Sequence, residues 1–218
     1  MATLLLQLYG PMQSWRTGAR LERRATQPLP SKSGVVGLLA AALGRPRGAD
    51  VSDLAALRMG VRADRPGRVE IDYQTVREVV PAGGGRPKNV QSWREYVADA
   101  AFLVGLEGER GFLEELARAL QRPARIPYLG QKGFYPAAPI YRGIRLRKGL
   151  EEALTAEPAI VRAHEPFEAN LYLEDPAGGM VLYDAPEPEL PRIGYPRALG
   201  ERRLTVRRVT VQPEEVSA

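Results

Sequence analysis

Leu4, Leu6 and Leu8 alternate with Leu5, Gln7 and Tyr9, a period of two that predicts a strand buried on at least one face and closed by Gly10-Pro11. A polar, basic stretch from Gln13 to Pro30 predicts a long loop. Pro30-Ser31-Lys32-Ser33-Gly34 then reads as a helix start with a serine N-cap. Val35, Leu38, Leu39 and Ala42 follow at i, i+3, i+4, i+7 spacing, and Gly44 sits where a C′ glycine belongs. Gly34, Gly37 and Ala41 leave the opposite face small enough for a close neighbour. Beyond it the pattern predicts a short helix over 50–57, a strand over 59–63, and a half-buried strand in which Val69, Ile71, Tyr73 and Thr75 alternate with Glu70, Asp72 and Gln74.

Order dissolves at Pro81-Ala-Gly-Gly-Gly85-Arg-Pro-Lys-Asn89, a flexible basic tip between two extended arms. Tyr96, Ala98, Ala100, Phe102, Val104 and Leu106 line one face of what reads as a single long strand from Gln91. Phe112, Leu113, Leu116, Ala117 and Leu120 form a helical stripe over 109–121, and a further strand is expected over 138–146. Strand, helix, strand, strand, helix, strand is the order of a ferredoxin-like βαββαβ unit in an α+β fold. The remainder reads as β-rich, with strands over 160–162, 170–174, 180–183 and 202–211, a short helix at 150–154 and a proline-stiffened acidic loop at 184–191.

Charge changes this picture more than composition does. Residues 1–50 hold seven basic and two acidic residues, a net +5, which equals the net charge of the whole chain. Arg16, Arg20, Arg23 and Arg24 lie in the first loop and Lys32 at the helix start, where free N–H groups make a natural anion site. Arg125 to Phe134 is a second basic, glycine-containing loop that lets backbone N–H groups and Lys132 approach a phosphate. Arginine outnumbers lysine 27 to 4, which favours bidentate phosphate contacts.

Other chemistries are poorly supported. The chain has no cysteine and one histidine, which excludes disulfides, thiolate-held metals and paired-histidine metal sites. Walker A, dinucleotide-binding, nucleophile-elbow and zincin motifs are missing. His164 is the one ordinary general base, and no lysine lies within fifteen residues of it. Asp99 interrupts an apolar run and is expected to pair with an arginine. Neither a secretory signal nor an apolar run of bilayer-spanning length is expected.

Four motifs then occur in order: Leu-Tyr-Gly-Pro-Met-Gln-Ser-Trp15, Pro-Ser-Lys-Ser-Gly-Val-Val-Gly-Leu-Leu39, Trp-Arg-Glu-Tyr-Val-Ala-Asp-Ala-Ala-Phe102 and Pro-Tyr-Leu-Gly130. Together they resemble the CasD family, the subtype I-E form of the fifth CRISPR-associated protein, over most of residues 1–140. The resemblance implies a RAMP-type (RRM-like) ferredoxin-like domain over 1–145, a long β-hairpin thumb inserted at about 73–94, and a small β-rich C-terminal part over 146–218. It further implies a non-catalytic, cytoplasmic scaffold without cofactor or metal, binding the 5′ handle of a CRISPR RNA within a Cascade complex. Its neighbours there would be the backbone filament subunit and the large target-recognition subunit, with target DNA contacted indirectly and no membrane involved. On this pattern Met12, Gln13, Ser14, Trp15, Arg16, Arg20, Arg23, Arg24, Ser31, Lys32, Ser33 and Gly34 line the handle site. Trp93 and Arg94 stand at the thumb base, where an indole or guanidinium can stack on a splayed base, and Tyr128, Gly130 and Lys132 join from the second loop. Relatives continue Tyr-Leu-Gly with a basic pair, whereas here Gln131 precedes Lys132, so the charge role passes to Lys132. The alternatives are a metal-independent repeat endoribonuclease, as in subtype I-C relatives that use a Tyr, Lys and His set, and an unrelated RRM-like RNA binder.

Overall fold

The structure is a computed structural model that describes residues 2–16, 23–186 and 199–214. It is a mixed α+β fold, rich in sheet and poor in helix. In chain order the elements are β1 (Ala2–Tyr9), β2 (Met12–Gln13), β3 (Trp15–Arg16), β4 (Arg23–Arg24), β5 (Thr26–Gln27), α1 (Lys32–Ala42), α2 (Ser52–Ala55), β6 (Arg58–Arg65), β7 (Arg68–Val79) and β8 (Lys88–Ala98). They continue with β9 (Ala101–Gly108), α3 (Arg110–Gln121), β10 (Tyr141–Leu146), α4 (Leu150–Ala156), β11 (Phe167–Glu174), β12 (Met180–Pro186) and β13 (Leu199–Val211). Seven strands form one antiparallel sheet in the order β10-β1-β9-β6-β11-β13-β12.

The alternation seen in the sequence decides which face each residue joins. Leu4, Leu6 and Leu8 of β1 pack with Phe102, Val104 and Leu106 of β9 against Val35, Leu38 and Leu39 of α1 and Leu113 and Leu116 of α3. Leu5 and Leu103 point the other way and meet Leu150, Ala153 and Leu154 of α4. Each such leucine, fully buried, contributes about 1.5–3 kcal/mol of hydrophobic stabilisation. Ser31 caps α1 as expected, its hydroxyl accepting from the Gly34 N–H at 3.2 Å, and Glu109 caps α3 by accepting from the Phe112 N–H at 2.9 Å.

A buried ion pair fixes the α4 side. Arg62 and Asp64 have fully buried side chains and meet at 2.6 Å. Arg62 donates its other hydrogens to Asp64 Oδ2 and to the carbonyls of Leu154, Glu157 and Pro158, so each of its five donors has an acceptor. Asp64 also accepts the Ile160 N–H at 2.9 Å.

Three expectations change. The long strand expected from Gln91 to Leu106 is two strands in two sheets, broken at Asp99, whose φ is +55° and whose N–H donates to the Pro11 carbonyl. Asp99, expected in a buried or edge pair with an arginine, is exposed at this bend, where its charge acts on Arg68. Residues 160–162 form no strand, because the Ile160 amide is taken by the Asp64 side chain. Gly37 meets no neighbour where a Cβ would stand, so of the two small glycines only Gly34 lies against another group.

Candidate nucleic-acid interface

The site grows from β8, which leaves the main sheet paired with β7 as a hairpin running from Arg68 to Ala98. On its other edge β8 takes two short strands of the first loop. Met12 and Gln13 pair antiparallel with Ala98 and Val97, while Arg23 and Arg24 pair parallel with Trp93 and Arg94. Successive residues of a strand face opposite ways. Trp93 therefore shares one face with Tyr73, whose ring lies 5.4 Å from its own, and this face exposes Val69 and Ile71 as well. Arg94 lies on the opposite, polar face with Ser92 and Tyr96, beside Arg24 of β4 and opposite Asp72 and Gln74 of β7. Trp93 and Arg94, adjacent in sequence, serve different surfaces.

The second loop abuts the polar face. The Phe134 ring meets Tyr96 edge-on at 6.1 Å, and the Leu129 carbonyl accepts the Ser14 N–H at 3.0 Å. Gly130 has φ +82°, and a Cβ there would stand 1.7 Å from the Ser14 carbonyl oxygen, so the contact requires glycine. Arg16, exposed, donates to the Gln131 side-chain oxygen at 2.8 Å and ties the two loops together. Lys132 and Tyr128 are exposed on the same loop.

Several residues expected to line the site lie inside it. The Gln13 side chain is fully buried, donating to the carbonyls of Leu8 at 3.0 Å and Ala100 at 2.9 Å and accepting from Trp15 Nε1 at 3.1 Å. Trp15 is fully buried, and a Cβ on Gly34 would stand 2.9 Å from its ring. Ser14 is buried with its hydroxyl donating to the Glu95 carbonyl at 3.4 Å. These residues brace the loop; of the expected site residues described there, Met12 and Arg16 are exposed. Arg20 and the side chain of Arg23 lie outside the described residues, as does the acidic loop beyond Pro186.

The expected open anion site at the start of α1 is corrected. Its first N–H, that of Lys32, donates to Asp184 Oδ2 at 3.3 Å. Arg202 grips the Asp184 carboxylate at 2.7 and 2.6 Å, and Gln27 donates to it at 2.8 Å. The Lys32 ammonium is 2.7 Å from Glu174 and is buried. The positive helix end attracts an anion as electrostatics requires, and strand β12 supplies it. Ser31 is buried at this corner and Ser33 half-buried. Asp184, which the sequence places on an acidic loop, is wholly buried in β12.

The structure thus sets Arg24 beside Arg94 on one face of β8, ties Arg16 to the second loop that carries Gly130 and Lys132, and withdraws Lys32 into an ion pair. Ser92, Tyr96 and Phe134 belong to this face and were missed. The alternation of Ser92, Arg94 and Tyr96 was their available signal, obscured by reading the strand through its apolar half. His164 is exposed. Among the described residues no cluster of three His, Cys, Asp or Glu could hold a metal, and no helix is long and apolar enough to cross a membrane.

A strand-edge ribbon carrying arginines on one face of an antiparallel α+β sheet defines a class of polyanion-facing protein, and comparison with known proteins narrows it. Residues 3–210 match the family described as CRISPR-associated protein (Cas_Cas5), and the chain belongs to that family. It is 33% identical over 221 residues to the CRISPR system Cascade subunit CasD of Escherichia coli strain K12, covering 93% of this chain and 94% of the relative. A solved structure described as a Cas protein is 42% identical with a TM-score of 0.75, covering 98% of both chains. A chain of a CRISPR RNA-guided surveillance complex is 31% identical with a TM-score of 0.80, covering 96% of this chain and 90% of that one.

Proposed function

We propose that this chain is the Cas5-type subunit of a Cascade ribonucleoprotein in antiviral and anti-plasmid defence, gripping the 5′ handle of a CRISPR RNA without cutting it. The observation that carries this is Arg24 beside Arg94 on the polar face of β8, with the second loop, which bears Lys132 and is tied to Arg16, packed on Tyr96 of that face. A phosphate backbone is the polyanion that such a face suits. Gln13, Ser14, Trp15, Ser31, Lys32, Ser33 and Gly34 support it by fixing the loop and α1, while Met12, Arg16, Tyr128 and Trp93 face outward. The strand order β10-β1-β9-β6, with α1 and α3 on one face, supports reading residues 1–145 as a ferredoxin-like RAMP domain and residues 146–218 as its β-rich extension. The β7–β8 hairpin is then the thumb, reaching toward the backbone filament subunit, and the large target-recognition subunit docks nearby. On this reading the protein works in the cytoplasm.

One experiment separates gripping from cutting. The protein is incubated in chelator with end-labelled repeat RNA, and the same samples are run on native and denaturing gels. Intact RNA with a shifted native band is expected. A single metal-independent cut would make the protein a repeat endoribonuclease and put His164 first for mutation.

Two further outcomes are expected. Arg24→Gln and Arg94→Gln each remove one phosphate contact, so the slope of log affinity against log salt should fall by roughly 0.7 per substitution for single-stranded RNA. An unchanged slope would turn this face toward protein. At the hairpin tip, Gly83, Gly84 and Gly85 meet nothing where a Cβ would stand. Deleting residues 83–88 should leave the melting temperature unaltered yet impair co-purification with the other Cascade subunits; intact assembly would deny the tip a role.

A further inference from the structure

We propose that Ser92, with Arg24 and Arg94, forms a phosphodiester-binding site on the polar face of β8, Ser92 donating its hydroxyl to a non-bridging oxygen of the RNA backbone. This deepens the RNA-binding reading above and rests on it. Ser92 is only 7% exposed, and among the described residues its hydroxyl has no hydrogen-bond partner. Arg94 Nε, two residues along the same face, is also buried and unpartnered. Buried polar groups are nearly always satisfied, so two orphans side by side point to a missing ligand. Arg24 lies directly beside Arg94 in the parallel ladder, which sets two guanidinium-bearing side chains on one face. Like charges so placed repel unless an anion joins them. One carboxylate, Asp72, stands across from Arg94 and accepts the Gln74 side-chain amide at 2.6 Å, so the two guanidiniums are not fully balanced locally.

The chemistry selects phosphate over a base. Arg24 and Arg94 can only donate, and Ser92 has a hydroxyl hydrogen without an acceptor. A phosphodiester presents acceptors alone on its non-bridging oxygens, whereas a base edge mixes donors and acceptors. The arginines then form charge-assisted bonds, with Ser92 completing the set.

The test uses the full chain and a 5′-handle RNA carrying a methylphosphonate at one linkage at a time. With the wild type, one linkage should stand out by about tenfold in affinity, as expected for charged hydrogen bonds. Ser92→Ala should weaken the unmodified RNA by roughly five- to tenfold and flatten the penalty at that linkage, and Ser92→Thr should restore both. Because the hydroxyl lacks a partner in the free protein, Ser92→Ala should melt at or above the wild-type temperature. A lower melting temperature, with unmodified-RNA affinity intact, would make Ser92 structural and overturn the site. An unchanged methylphosphonate profile in Ser92→Ala overturns the site while leaving RNA binding standing. Failure of the wild type to bind the RNA overturns both.

Discussion

Gly130→Ala is expected to lower the melting temperature and to cut RNA affinity by at least about tenfold. Two costs act together. A φ of +82° is strained for any residue with a side chain, and the new Cβ would stand 1.7 Å from the Ser14 carbonyl oxygen. The backbone must separate, and the bond from the Ser14 N–H to the Leu129 carbonyl separates with it. A loss of about 3 kcal/mol is reasonable for strain of this kind, or roughly 6–12 °C in a chain of this size. RNA affinity falls as well because Phe134, Gln131 and Lys132 are carried away from β8. Thermal melting and filter binding on the same preparation test this. A variant that melts and binds like the wild type would show that the second loop neither needs this contact nor belongs to the interface.

The second large effect should separate stability from binding. Asp64→Ala leaves the Arg62 guanidinium wholly buried with no counter-charge, which typically destabilises by about 3–5 kcal/mol. A drop of roughly 6–20 °C in melting temperature follows. The double variant Arg62→Met, Asp64→Leu should recover part of this, because it removes both charges. It should not recover all of it, since three carbonyls that Arg62 served lose a donor. RNA affinity measured well below the transition should be unaltered, because this pair lies under α4, on the other side of the main sheet from α1 and α3. A double variant less stable than the single would mean that the ion pair itself contributes net stability.

The two substitutions probe the same arrangement from opposite sides. The main sheet is a rigid support: its α1/α3 side anchors the first loop through Trp15 and Gln13, and its α4 side is locked by Arg62 and Asp64. Carboxylates from the last third of the chain, Glu174 and Asp184, hold the first turn of α1. The loop that presents Arg16 and Arg24 is therefore fastened by residues about 150 positions away.

Much of this was legible in the chain. The alternation of Leu4, Leu6 and Leu8, the Ser31 cap with its following stripe, and the Phe112 to Leu120 stripe each predicted the element that is present. All three are decided within a few residues, by backbone period and capping. The four motifs were likewise local strings sufficient to point to the family. Where the reading failed, the deciding partner was remote in sequence. Asp99 broke an apolar run because its backbone turns left-handed to meet Pro11, which side-chain pattern does not encode. Trp15 looked like a surface aromatic in a basic loop until α1 offered Gly34 as the place to bury it. The start of α1 promised an anion, and electrostatics made one certain to be favoured there. Only the folding of β12 beside it decided that the anion would be Asp184, and only the pairing of β4 with β8 decided that Arg24 would stand beside Arg94. Short-range periodicity determines which elements form; which polar groups meet depends on chain crossings that no local pattern records.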